Sequence, residues 1–281
     1  MPYRNEQLKT PALIRQAAGL LAILLAGCVI FSGSFGLTAF AQNAGDRQDI
    51  TGMCSAYVRK ELLRDSGENG ERAKEFAPVI LATAVSSYQQ NNSSVKNAKK
   101  ACDYVNGTVV RPGEEFSFNE TIGERTRANG YVNAPSIAGD RLEMTVGGGI
   151  CQISSMLYNV SLRSGMRIRE RHAHSLAVPY ASNGFDASVV WGQWDYRFTN
   201  PYESSVAILA GYDDEKEEIR IYLISNRGDI LDGYSYALRY RQTGNYTYHN
   251  FVDVYKDGTP VETKDLGINR YYGETGTSLR N

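Results

Sequence analysis

Gly147-Gly148-Gly149-Ile150-Cys151-Gln152-Ile153-Ser154-Ser155-Met156-Leu157-Tyr158-Asn159 is the stretch that decides how the rest of the chain is read. Three glycines run into a cysteine, and the cysteine runs into a helical pattern. Ile153, Met156, Leu157 and Val160 fall at i, i+3, i+4 and i+7, one face of a helix. Gly165 follows where a C-cap belongs. Cys151 therefore opens a helix, where unpaired N–H groups and the helix dipole favour negative charge. A thiol placed there is biased toward thiolate. The glycines allow a substrate close to the backbone and can present N–H groups to an oxyanion. His172 and His174 supply a candidate base. This is the equipment a cysteine nucleophile needs. The plainer alternative is a small buried cysteine that lets the helix pack closely.

Upstream of this helix, residues 52–66 and 71–90 read as helices, rich in Ala and Leu with few breakers. Ser94 to Val105 is a further short helix, with Lys96, Lys99 and Lys100 on its wet side and Val95, Ala98, Ala101 and Cys102 on its dry side. Thr108-Val109-Val110 is a short strand, and Phe116 to Asn119 alternates. Residues 119–149 are glycine-rich with little periodicity, an unusual length of loop inside a domain, and read equally as a substrate-binding lid or as a solvated loop wrapping the helix. Downstream, strands are expected at Met166–Arg171, from Leu176 to Tyr180, and at Asp186–Trp191. Ser205–Gly211 and Glu218–Ser225 read as a hairpin. Tyr234–Arg241, Tyr246–Val254 and a segment near Val261 follow, before a polar tail after Tyr272. Helices, then one Cys-bearing helix, then antiparallel strands make an α+β pattern. The expectation is N-terminal helices and the Cys-bearing helix packed on a mainly antiparallel β-sheet, with a β-rich C-terminal extension.

The chain has 281 residues and a formal net charge of −1, so no basic excess points to nucleic acid. Arg4, Lys9 and Arg15 precede an uncharged apolar run from Ala17 to Ala41. Ala39-Phe40-Ala41 fits a signal-peptide cleavage site, yet the run also suits a retained membrane anchor. Leu25-Ala26-Gly27-Cys28 looks like a lipobox, although apolar residues continue after it. Each alternative exports the remainder of the chain to the cell envelope, anchored or secreted. Excluding Cys28, the odd set Cys54, Cys102 and Cys151 suits one disulfide, Cys54 to Cys102, and one free thiol. The division expected is 1–41 signal peptide or anchor, 42–84 helical N-terminal region, 85–210 core and 211–281 β-rich extension.

A specific set of residues points to a family. Asn106-Gly107, Pro112-Gly113-Glu114, Phe116 to Asn119, Gly123, Gly130-Tyr131, Gly147 to Gln152, Ser154-Ser155, Leu157 to Asn159, Glu170-Arg171, His174-Ser175, Gly184, Asp186-Ala187, Asp195 and Asn200 resemble the VanW family in order and spacing. That family takes its name from a glycopeptide-resistance gene cluster. Its members are exported or membrane-anchored envelope proteins, and some are assigned L,D-transpeptidase activity on peptidoglycan. The resemblance implies Cys151 as nucleophile and His174 as base, with Asp186 orienting the base and Asp195 the alternative. It further implies Gly148 and Gly149 near the oxyanion, stem peptides as substrate, and no cofactor or metal.

His172 stays a secondary candidate, and the Gln152 amide is a further possible oxyanion donor. A metal pair of His172 and His174 with Cys151 lacks a fourth ligand and the spacing of a zinc site. Ser154 and Ser155 read as polar residues of the helix start. Trp191, Trp194 and the many tyrosines read as packing, and as a glycan platform only if exposed in a row. Three functions remain open: a cysteine L,D-transpeptidase, a cysteine peptidase with water as acceptor, and a non-catalytic module that binds peptidoglycan or glycopeptides.

Overall fold

In the computed structural model the described residues are 50–64, 76–90 and 92–275. The signal or anchor reading of 1–41 and the lipobox at Cys28 lie outside them, as do residues 65–75 and 276–281. Among the described residues no helix is long and apolar enough to cross a membrane.

The central sheet is antiparallel, with order β1-β9-β8-β2: β1 is Val79–Ser87, β9 Glu218–Ser225, β8 Val206–Asp213 and β2 Thr108–Val110. Strand β8 begins with five consecutive buried residues, Val206 to Ala210, because both faces of the sheet are covered. On one face Ile208, Ala210, Ile219, Ile221 and Leu223 pack with helix α2 (Ser93–Val105) and the Cys-bearing helix α4 (Cys151–Arg163). On the other, Ala207, Leu209, Tyr222 and Ile224 pack with Ile50, Val58 and Leu62; the last two lie on helix α1 (Ala56–Arg64). Each fully buried aliphatic side chain contributes about 1.5–3 kcal/mol over an exposed one. Such a two-sided core is therefore the main support of the fold.

Strand β1 corrects the expectation of a helix over 71–90. Its burial alternates with period two, and it pairs along its length with β9. Val79, Ile80, Thr83 and Val85 are β-branched, and their fit to a half-buried pleat outweighs the helical preference of the interspersed alanines. The N-terminal region is thus helical at residues 50–53 and in α1, and then becomes a strand of the sheet. Because β8 runs through residue 210 and β9 sits centrally in the sheet, both strands belong to the core sheet.

The long loop expected over 119–149 is organised. Helix α3 (Phe118–Ile122) is capped by Ser117, whose hydroxyl accepts from Glu120 N–H at 3.1 Å. A two-stranded hairpin follows, β4 (Asn133–Ala138) with β5 (Arg141–Val146), turning at Gly139-Asp140 with φ +64° at Gly139. A positive φ in a two-residue hairpin loop suits the right-handed strand twist. A third sheet has order β3-β7-β6: β3 is Glu115–Ser117, β7 Arg197–Thr199 and β6 Arg167–Glu170. The last sheet is a meander, β10 (Tyr234–Gly244), β11 (Thr247–Lys256) and β12 (Thr259–Arg270).

Two expected strands do not form. Residues 176–180 and 186–191 make only isolated bridges, Ala177 to Glu274, His172 to Ser188 and Val190 to Trp194. Backbone groups of these segments are taken up by α4 side chains and by residues 272–275 instead. The start of the tail is tied down: Ala177 N–H donates to Gly273 O at 2.8 Å, and Tyr272 N–H to Ser175 O at 2.7 Å.

The Cys54–Cys102 disulfide is also corrected. Both thiols are free and buried, Cys54 in the core beneath α1 and Cys102 in the core beneath α2. The central sheet separates the two cores, so the sulfurs cannot meet without unfolding. Differential alkylation without reductant checks this. Cys54 and Cys102 take up iodoacetamide only after denaturation, and mass mapping finds no linked peptide.

Candidate active site

Helix α4 is buried on every side from Gln152 to Leu162. A helix buried all round must satisfy its polar side chains internally. It does so by gripping the neighbouring extended segment. Ser154 Oγ donates to Ala187 O at 2.6 Å, and Ala187 N–H donates to Ser155 Oγ at 2.8 Å. Asn159 Nδ2 donates to Phe185 O at 2.7 Å. These side chains replace a strand partner for residues 185–187 and fix Asp186 between two anchored neighbours.

Asp186 is fully enclosed, with a side chain only 1% exposed. Its carboxylate accepts four hydrogen bonds: from His174 Nδ1 (2.7 Å) and backbone N–H (2.7 Å), Arg171 Nη2 (3.0 Å) and Tyr271 OH (2.5 Å). Burial would raise its pKa. The His174 hydrogen bond and the Arg171 charge overcome this and hold it down at about 2. Arg171 is itself oriented by Asp186 O (2.6 Å), Asn269 Oδ1 (2.5 Å) and Gly184 O (3.2 Å).

His174 has a side chain 4% exposed. Nδ1 is committed to Asp186, which leaves Nε2 for the Cys151 thiol, with Tyr180 OH 3.4 Å from the same nitrogen. Burial works against a charged imidazole, but Asp186 and Cys151 push its pKa up to about 9. Cys151 itself is half-buried at the first position of α4. Burial would raise the thiol, yet the His174 hydrogen bond and charge, the Val189 backbone and Arg125 bring it below its ordinary value. The intrahelical ladder starts with Gln152 N–H to Gly149 O and Ile153 N–H to Ile150 O. Cys151 N–H precedes it, among the groups a helix leaves for an anion. Cys151, His174 and Asp186 thus form one group, with the thiol biased toward thiolate and the imidazole toward imidazolium, which can perform nucleophilic attack followed by proton delivery to a leaving amine.

The other expected site residues lie elsewhere. Gln152 turns away from the thiol: its Nε2 donates to Ser86 Oγ (2.7 Å) and Ser87 O (3.1 Å), tying α4 to β1. This corrects its expected oxyanion role. The same holds for Gly148, whose N–H donates to Thr145 O at 3.3 Å. A Cβ on Gly148 would fall 2.3 Å from Ala134 O, and one on Gly149 2.6 Å from Ser94 Cβ. These glycines let the helix start wedge between β4 and α2. Asp195 makes no bond to the imidazole: it accepts from Ser117 Oγ (2.5 Å), Asn119 N–H (2.9 Å) and Tyr196 N–H (2.7 Å), joining β3 to β7. His172 pairs with Glu170 at 2.9 Å and stacks on Trp194. Among the described residues no cluster of three or more potential metal ligands occurs.

Arg171, Asn159 and Tyr271 join the site without a role that sequence reasoning assigns them. The spacing of Ser155 and Asn159, i and i+4 on a helix with an apolar face, is the available signal. Tyr271 has none. It follows β12 and joins the site only through the folded chain, also accepting from Gly184 N–H at 2.6 Å.

Fold and site together define an α+β protein with a Cys–His–Asp constellation at a helix N-terminus. Residues 93–222, just under half of the chain, match the family model described as VanW like protein, so this segment is VanW-like. The chain is 44% identical over 120 residues to the uncharacterized protein YoaR of Bacillus subtilis, covering 43% of this chain and 40% of that one. It is 31% identical over 134 residues to the vancomycin B-type resistance protein VanW of Enterococcus faecalis, covering 46% of this chain and 48% of that one. The chain thus spans less than half the length of these curated relatives. No solved structure matches it.

The electrostatics set the pH behaviour. Asp186, with a lowered pKa, stabilises the fold fully above the unfolded carboxylate value, about 3.9, and loses this as pH falls toward 2. His174, with a raised pKa, stabilises it fully below the unfolded value, about 6.5, and loses this as pH rises through 9. Cys151 alkylation should therefore show a midpoint below the ordinary thiol value of 9.0 in the native chain. In His174→Ala burial is left largely unopposed, the midpoint rises, and the rate at pH 7 falls at least about tenfold. Tyr271→Phe should cost about 1–3 kcal/mol in urea unfolding, because it leaves a buried acceptor short of a donor.

Proposed function

We propose that this chain is a cell-envelope cysteine enzyme acting on peptidoglycan stem peptides, an L,D-transpeptidase that forms 3-3 cross-links through a Cys151 thioester. The observation that carries this reading is the convergence of Cys151, His174 and Asp186, with His174 Nδ1 bonded to Asp186, the Cys151 and His174 charges acting on each other, and residue Cys151 partly exposed. The Enterococcus relative is named for vancomycin resistance, which supports a wall-related substrate. The apolar run ahead of residue 42 supports export, by cleavage or by anchoring in the membrane.

Cys151 thiolate attacks the carbonyl of the third stem residue. The tetrahedral oxyanion is met by the Cys151 N–H at the helix N-terminus. His174 Nε2 delivers its proton to the leaving amine, the C–N bond breaks, and the terminal D-Ala departs. A side-chain amine of a second stem then gives a proton to His174 and attacks the thioester. The new amide forms as the thiolate leaves. Asp186 keeps the imidazole in the tautomer and orientation both steps need. No cofactor or metal enters this scheme.

Incubating the chain with a disaccharide-tetrapeptide and analysing the products by mass spectrometry tests it. The expected result is a 3-3 linked dimer with loss of D-Ala, abolished in Cys151→Ala. Tripeptide without dimer would instead mean water as acceptor and a peptidase. Intact substrate with both proteins would mean a binding module.

A further inference from the structure

Arg125 follows α3 and lies beside the start of α4. A Cβ on Gly147 would fall 2.7 Å from Arg125 Cβ, only four residues ahead of Cys151. The guanidinium carbon stands 5.6 Å from the centre of the Trp191 ring. Trp191 comes two residues after Val189, whose carbonyl lies 3.9 Å from Cys151 Sγ. Guanidinium, indole and thiol therefore share one neighbourhood, and the Arg125 charge acts on the thiol.

The satisfaction of this side chain is incomplete. Nη1 donates to Gly123 O at 3.1 Å, but Nη2 is buried with no hydrogen-bond partner. The nearby carboxylate of Asp195 is spent on Ser117, Asn119 and Tyr196. A buried guanidinium N–H without an acceptor is costly, and the acceptor that suits its fork best is a carboxylate. Trp191 is 44% exposed and sits on a turn with Gly192 at φ +72°, so it is a cover that little holds down.

The stem chemistry supplies such an acceptor. In a tetrapeptide stem the free C-terminal carboxylate belongs to the residue just beyond the scissile bond. Successive Cα atoms are about 3.8 Å apart, so a carbonyl held at the thiol brings this carboxylate into the reach of a neighbouring guanidinium. We propose that Arg125 is the receptor for the free C-terminal carboxylate of the donor stem, with Trp191 displaced from over the guanidinium as the carboxylate enters. This rests on the stem-peptide reading above and adds its specificity: the site takes a chain end one residue past the attacked carbonyl and refuses a longer or capped peptide.

Binding to the full chain carrying Cys151→Ala, which cannot form a thioester, isolates recognition from turnover. Calorimetry compares a stem tetrapeptide acid with the same peptide as its C-terminal carboxamide. The acid should bind at least about tenfold tighter, the scale of a charge-assisted hydrogen bond to a buried donor. Adding Arg125→Gln should bring the two within about threefold, and Arg125→Lys should keep part of the preference, as a charge without a fork. Circular dichroism on each variant separates lost recognition from lost folding. Equal affinities for acid and amide, no binding of the acid, or a preference that survives Arg125→Gln each overturn the proposal. Turnover of the tetrapeptide by the wild-type chain is read separately. Turnover without an acid preference sinks the carboxylate receptor alone, and acid-selective binding without turnover sinks the enzyme alone.

Discussion

The buried charge of Asp186 is the constraint on which the site depends. An ionised carboxylate enclosed in protein is stable only when paired and fully hydrogen-bonded. Here its donors come from two distant parts of the chain: Arg171 and His174 after β6, and Tyr271 after β12. The segment that carries it is held by Ser154, Ser155 and Asn159 of α4. One helix thus presents the thiol at its first residue and fixes the acid through its body. Removing any one donor leaves a buried charge underpaired, which costs more than weakened packing alone.

The β10–β12 meander lies beyond residues 93–222, the family-matched segment, yet it completes this network. Asn269 orients Arg171, Tyr271 donates to Asp186, and Asn269 Nδ2 bonds Asn250 Oδ1 at 2.9 Å. Asn250 in turn donates to Asn183 O at 2.8 Å, steadying the turn that leads into Asp186. A Cβ on Gly184 would fall 2.0 Å from Asn250 Oδ1, so the meander approaches closely enough to require glycine there. The C-terminal sheet acts on the thiol through this polar relay, without reaching it.

Much of this is legible in the sequence, and the parts that are not share a cause. The Cys helix declares itself by its 3.6-residue apolar period, and β8 and β9 by their dense β-branched runs. Cys151, His174 and Asp186, named from the family resemblance, converge in the fold. Val79–Ser87 reads as helix because of its alanines, while its pairing with β9 is invisible locally. Residues 185–187 are extended without a strand neighbour because serine and asparagine side chains take the place of a ladder. The disulfide expected from an odd cysteine count does not form because a sheet stands between the two thiols. The roles of Gln152 and Gly148 depend on what packs against them, which spacing does not encode. Local periodicity carries the elements, and tertiary packing decides their uses.

The central claim is that Cys151 is a nucleophile activated through His174 and Asp186, and trapping the covalent intermediate tests it most directly. The chain is mixed with stem tetrapeptide, quenched in acid within the first turnover, and examined by intact-protein and peptide mass spectrometry. A mass gain of the stem tripeptide less water on Cys151, absent in His174→Ala, is the result this account predicts. An unmodified Cys151 that also alkylates with the pH profile of an ordinary thiol would contradict it.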